Sequence, residues 1–382
     1  MVKKREIITV FVAILFIGTL TDATNFTDTK KDIAIKTDLG IQQDSYQYEY
    51  YTYEEMTTLL HELQDENSDI MSLKSIGKTW EGRNVWMVKF SDNVLMDENE
   101  PEILFDGAIH GNEKIAYEVL IYFIQYVCEN YRKSNTDDDK DGNINEDIID
   151  GKDNDNDGLI DEDPSEERVH WAVDNTEMYI IPMVNPDGVE ANTRKNCAPN
   201  YGPLGNWSTR TSIGVDLNRN FGYEWNLFFD QPLGYYFPYT TQYLAFTNCY
   251  RGEAPFCENE TIALRDFSNH RDFMFSIAYH DFGEWVLYPW GYTKETPPDE
   301  ELLISVATNI SGINNYVPIQ SSNLYRVPAL GGEIDWLYGE KGTFAFLIEL
   351  CETRAPTDTE IVLKTCKTHV GVHLYICELT SK

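Results

Sequence analysis

The sequence predicts an α/β fold, with helices layered around one sheet, and three observations carry that prediction. Short apolar runs of strand length alternate with longer runs of helical period. The strand-like runs recur along the whole chain with no internal repeat of fold size. Two of them break off abruptly into polar residues, "DGAIHGNE" after Ile103-Leu104-Phe105 and "HDFGE" after "MFSIAY". Ligands gather at such strand ends in open α/β sheets.

The elements follow in order. Lys3-Lys4-Arg5, an apolar Ile7–Leu20 and small residues at Thr21-Asp22-Ala23 read as a signal peptide over 1–23. The apolar stretch is shorter than the roughly 20 residues of a spanning helix, although left uncleaved it would give a membrane-anchored form. Residues 24–47 are polar and aperiodic, and read as a linker. "YTYEEMTTLLHELQDENSDI" predicts a helix; Ser72–Gly77 and Asn84–Ser91 predict a hairpin turning at Glu81-Gly82-Arg83. Further strands are expected at Glu102–Ile109, Glu177–Val184, Met274–Tyr279 and Phe344–Leu350. Helices are expected at Lys114–Tyr131, Glu260–Asn269, Asp299–Asn315 and Glu360–Cys377.

An acidic insertion at 134–168 interrupts this alternation. It carries Asp137-x-Asp139-x-Asp141-Gly142 and Asp153-x-Asp155-x-Asp157-Gly158. Alternating hard oxygen donors followed by a turn glycine are the makings of a calcium (Ca2+) loop. The twelfth positions hold Ile148 and Pro164 rather than Glu, so Asp147 and Asp163 would have to close shorter loops. Calcium there is expected to be structural; the alternative is a solvated acidic loop.

Thirty Lys+Arg against 64 Asp+Glu give a net charge of -34. That charge repels nucleic acid and anionic lipid. Export would suit the seven cysteines, of which Cys249 and Cys257 bracket a short loop and are the first candidates for a bond. It would also suit sequons at Asn25, Asn206, Asn259 and Asn309. A secreted monomer is expected.

The chemistry concentrates at the two strand ends. His110 and Glu113, three apart on a turn, can face one ion, and His280 ends a second strand in the same way. His61, His369 and His373 fall in helices near the chain ends, where surface or core roles are expected.

From about Tyr48 to the C-terminus, the acidic insertion apart, the chain resembles the zinc metallocarboxypeptidases, the family of the pancreatic carboxypeptidases A and B. The resemblance rests on "SIGKTWEGRNVWMVKFSDN", "HGNE", "IPMVNPDGVE", "GVDLNRNF", "YRGEAPFCENET", "LYPWGY", "GGEIDW" and "FLIEL", in family order. It implies a mixed, twisted sheet with helices on both faces, and one catalytic domain over 48–382. It also implies zinc (Zn2+) on His110, Glu113 and His280, with Asp216 orienting the first histidine. Asn218 and Arg219 match the pair that grips a terminal carboxylate. Arg194 matches the arginine at the scissile carbonyl, and Glu349 the general base. Tyr325 matches the tyrosine that closes over substrate, with two extra residues before the following Trp.

The implied reaction is metal-assisted hydrolysis of the C-terminal peptide bond of peptides or proteins, one residue at a time. Ile334 stands where carboxypeptidase A-like enzymes hold an apolar residue, implying apolar or aromatic preference, while Glu333 beside it would suit a basic residue. Asp281 and Phe282 replace a Ser and a Tyr, changing subsites. Residues 24–47 are too few for a folded inhibitory pro-segment. The alternatives are an amidase on the same fold acting on cell-wall or side-chain-linked peptides, or an inactive calcium-dependent binding module. Asp106 has no catalytic match and reads as structural.

Overall fold

The computed structural model describes residues 47–133, 164–197, 214–227, 242, 247–324 and 329–380. The expected signal peptide, most of the linker, the six calcium-loop aspartates, Tyr325 and the sequons at Asn25 and Asn206 lie outside the described residues.

An eight-stranded mixed sheet organises the rest. Its strands are β1 (Met71–Lys78), β2 (Asn84–Phe90), β3 (Glu102–Gly107), β4 (Glu177–Ile181), β5 (Phe273–Asp281), β6 (Trp285–Tyr288), β7 (Val317–Gln320) and β8 (Phe344–Leu350). They lie in the order β1-β2-β4-β3-β5-β8-β6-β7. The four central strands β4, β3, β5 and β8 run parallel, and antiparallel pairs flank them. Central parallel strands are covered on both faces and so carry continuous apolar runs. "FAFLIEL" of β8 is buried at every position.

The helices are α1 (Tyr53–Glu66), α2 (Ile115–Lys133), α3 (Pro164–Asn175), α4 (Pro186–Ala191), α5 (Asn259–Ser268), α6 (Glu300–Asn314), α7 (Ser321–Leu324), α8 (Glu333–Trp336) and α9 (Thr359–Leu379). Thr52 caps α1 through a capping box with Glu55, and Asp358 caps α9 through the Glu360 and Ile361 amides. The two faces of the sheet separate at β3. Phe105 packs edge-on to Phe123 of α2 and His373 of α9. The next side chain, Asp106, must point to the other face, where α8 lies. Helices therefore cover both faces around one continuous apolar core.

The expected strands and helices are present, with shifted ends. β3 stops at Gly107 because Ala108 turns to a left-handed φ of 49°. Six of these elements, α3, α4, α7, α8, β6 and β7, were not predicted. β6 and β7 have four residues each, too short to show a period. α3 begins at Pro164, inside the span assigned to the acidic insertion, with proline suited to a first helical turn. The suggested Cys249–Cys257 bond is absent, and no cysteine forms a disulfide among the described residues. The Cys257 thiol instead lies 3.1 Å from Glu258 Oε1 and 3.2 Å from Asn220 Nδ2. No helix among the described residues is long and apolar enough to cross a membrane.

Candidate metal centre and active site

Strand ends and one glycine contact place the first two ligands. Past β3, the Ile109 carbonyl accepts Asn185 Nδ2 at 3.1 Å, and Asn185 Oδ1 also caps α4 through the Gly188 amide. The turn carrying His110 then lies directly on α4. A Cβ at Gly111 would come within 1.9 Å of the Gly188 carbonyl carbon, so only glycine fits between the two ligands. Asp187 of the same "NPDG" segment accepts the Thr79 hydroxyl, the Glu81 amide and Arg83, locking the β1–β2 turn onto this platform. His280 arrives at the end of β5, directly across from Glu349 on β8.

Three buried side chains converge there. His110 Nδ1 lies 3.0 Å from Glu113 Oε1, and His280 Nδ1 lies 2.9 Å from Glu113 Oε2. The two Nδ1 atoms are 3.1 Å apart. In a site 2% exposed, two imidazole nitrogens and a carboxylate brought that close are a donor set that a shared cation would satisfy. Ligands 2.0–2.1 Å from zinc at tetrahedral angles are spaced by roughly 3.3 Å, so the observed triangle is the zinc spacing drawn slightly inward. His₂Glu, with three protein ligands, is the number that leaves a catalytic metal one position for water or substrate. The residues fit zinc.

Around the triangle, Asp216 Oδ1 lies 2.9 Å from His110 Nε2, fixing the ring so that Nδ1 faces inward. Arg194 donates from Nε to Asp216 Oδ2 at 3.0 Å and from Nη1 to Glu113 Oε1 at 3.3 Å. Burial alone would raise the Glu113 carboxyl, but the His110 and His280 rings overcome it and hold it well below the ordinary range. Burial would likewise raise Asp216, and Arg194, His110 and Arg219 outweigh it and lower it strongly. Both carboxylates are thus ionised, as metal binding and ring orientation require.

Asn218 and Arg219 occupy a single 3₁₀ turn, Leu217–Arg219, after Asp216. Asn218 Oδ1 accepts the Glu333 amide at 2.9 Å, and its Nδ2 lies 3.3 Å from His280 Nε2. Arg219 Nε is buried and meets no acceptor among the described residues. Glu349 is 8% exposed beside His280. Ile334 lies in the apolar core at 4% exposure, one residue into α8.

Two features escaped sequence reasoning. Asp281, read as a subsite change, is buried and bound to Arg354 Nε at 3.1 Å and the Ala355 amide at 2.8 Å. Burial and the neighbouring Glu113 push its carboxyl up to about 7 despite those two donors. Arg354 also approaches Glu113 to 3.7 Å. Its nearness to Glu349 in "ELCETRAP" was the one available signal.

Comparison with known proteins agrees with this centre. The family model described as zinc carboxypeptidase matches residues 56–369. A zinc carboxypeptidase of Saccharothrix mutabilis subsp. capreolus is 27% identical over 86% of this chain and 69% of its own length. Mouse carboxypeptidase A4 is 27% identical over 88% of this chain and 74% of its own. Among solved structures, the carboxypeptidase A of Helicoverpa armigera superposes with a TM-score of 0.65 at 20% identity, covering 87% of this chain and 74% of that one. Since the family match spans most of the sequence and includes the converging His–Glu–His group, the chain belongs to the zinc carboxypeptidases, a family of metal-dependent peptide hydrolases.

Proposed function

We propose that the protein releases single amino acids, apolar or aromatic ones preferentially, from the C-termini of peptides. The observation that carries this reading is the Asn218–Arg219 turn, which sets an amide and an unsatisfied guanidinium nitrogen beside the metal ligands. Arginine's planar fork matches a carboxylate through two parallel bonds. A peptidase cutting within chains has no use for that group.

Zinc held by His110, Glu113 and His280 would supply Lewis acidity, making water a better nucleophile and polarising the scissile carbonyl. Arg219 and Asn218 hold the terminal carboxylate and so set which bond is presented. Glu349 takes a proton from the attacking water and delivers it to the leaving amine. Arg194 keeps its charge in the buried site because Asp216 and Glu113 outweigh the effect of burial. That charge supports anion development at the carbonyl oxygen. Ile334, buried and apolar, favours an apolar terminal residue. Glu333 favours a basic one less, because its carboxyl faces Asp106. Export through residues 1–23, and structural calcium on Asp137, Asp139, Asp141, Asp153, Asp155 and Asp157, belong to the same reading and rest on sequence.

The test is hydrolysis of blocked dipeptides that differ in their last residue, offered as free acids and as amides, with and without chelator. Free acids ending in Phe or Leu should be cut, amides spared, and chelator should abolish turnover. Equal cleavage of the amides would overturn the reading.

A further inference from the structure

Beneath the centre lies an acid pair that the proposed chemistry does not use. Asp106 of β3 is 1% exposed and Glu333 of α8 is 0% exposed. Asp106 is in register with Ala278, two residues before His280, so it sits on the site's face of the sheet, one pleat deeper. All four carboxyl oxygens are buried, and none meets an N–H or O–H donor among the described residues. Each carboxyl instead lies within hydrogen-bonding reach of the other. Two ionised carboxylates in a dry contact repel each other without compensation. One proton between them replaces that repulsion with a short O–H···O⁻ bond.

What the pair holds is the segment that touches the carboxylate clamp. The Glu333 amide donates to Asn218 Oδ1 at 2.9 Å. Two residues earlier, Gly331 accepts the Phe221 amide at 3.1 Å and lies so close to Arg219 that a Cβ would fall 2.3 Å from its carbonyl oxygen. The segment 331–336 therefore rests on the Asn218–Arg219 turn at both ends of the clamp.

We propose that Asp106 and Glu333 share one proton and latch this segment to the strand that leads to the first metal ligand, which makes Glu333 a positioning residue for substrate-carboxylate binding. The proposal rests on the reading of Asn218 and Arg219 as that clamp. Charged groups on the packed elements do not compete for the proton. Asp335 turns to the Gly291 and Tyr292 amides, and Arg219 acts on Asp335 and Asp216. Burial, offset in part by the bond from Glu333, pushes Asp106 up to about 8, and burial together with Asp106 holds Glu333 well above the ordinary carboxyl range, so the pair keeps a proton through neutral pH. Once more alkaline pH removes that last proton, the two charges repel and the Glu333 amide draws away from Asn218.

The experiment compares the metal-loaded wild-type protein with Glu333→Gln and Asp106→Asn, either of which keeps a neutral hydrogen-bonding partner. Infrared spectra should show a protonated carboxyl persisting at pH 7 in the wild type, and its band should shift in both variants, which lose the carboxyl–carboxyl bond. KM for a blocked dipeptide ending in Phe should rise roughly fivefold to tenfold in the wild type as the pH is taken above the range where Asp106 first ionises, about 8, with kcat nearly level. The variants should show no such rise. A wild type without the carboxyl band, or variants with the same KM profile as the wild type, would overturn the proposal. Should one variant fail to fold, the other carries both readouts. A wild type that shows the band but cuts no free-acid dipeptide would refute the clamp reading, and with it the positioning role, while leaving the acid pair established.

Discussion

Two pairs of histidines lie on opposite faces of the same sheet, and their fates differ completely. On the α2–α9 face, His369 and His373 are fully buried among aromatic rings. His373 stacks on Phe123 at 4.2 Å and meets Phe105 and Tyr279 edge-on, with neither ring nitrogen partnered among the described residues. Burial lowers His369 to about 4, although the Thr365 carbonyl opposes it. Burial and the nearby His369 lower His373 well below its ordinary value. On the α8 face, His110 and His280 are as deeply buried but look at Glu113 and Asp216. Carboxylates, rather than depth, decide which imidazoles are ligands. The first pair is neutral packing, and the second can gather around a cation.

The largest effect that would break this contrast lies beside the second pair. Glu349→Gln should lower kcat by roughly 10²–10⁴-fold while zinc stoichiometry, read by elemental analysis, stays unchanged; undiminished turnover would refute the assigned base. Next comes the carboxylate that orients the ring. Asp216→Asn should weaken zinc binding by roughly 10- to 100-fold in a chelator competition, and unaltered affinity would remove Asp216 from its role.

The smallest effect falls on the other face. His373→Phe should leave kcat and zinc content as they are and change only the acid limb of stability. The sign follows from the lowered value. Above pH 6.5 the imidazole is neutral in both the folded and unfolded chain, so it contributes no slope. Below that, the unfolded chain gains a proton that the folded chain refuses, and stability falls with pH. By pH 5 this costs about 2 kcal/mol per histidine, which denaturant titration of the variant should recover. An identical pH slope in both proteins would show that His373 is not held neutral.

Much of this contrast was legible in the sequence, and for identifiable reasons. Phe344–Leu350 is apolar at every position but Glu349 and could be placed to the residue. His110, Glu113 and His280 each end or follow an apolar run, which brings them toward the strand ends, whereas Glu349 was marked only by the family resemblance. Trp285–Tyr288 and Val317–Gln320 carry no period over four residues, and only pairing across the sheet makes them strands. Asp106 shows the other limit. A buried carboxyl looks structural in one dimension, because its partner Glu333 lies more than two hundred residues away. Arg354 and Asp281 were hidden in the same way, with 73 residues between them.

The "NPDG" platform has a consequence for the order in which the molecule is made. Asp187 joins Thr79 across 108 residues, Asn185 joins Ile109 across 76, and His110 meets Asp216 across 106 and His280 across 170. Contacts so distant along the chain form slowly, since each closes a long loop before it is rewarded. The ligand triangle cannot assemble from any local piece of the polypeptide. Metal uptake is therefore an event of the finished topology, and a chain that has captured zinc has already threaded its central strands.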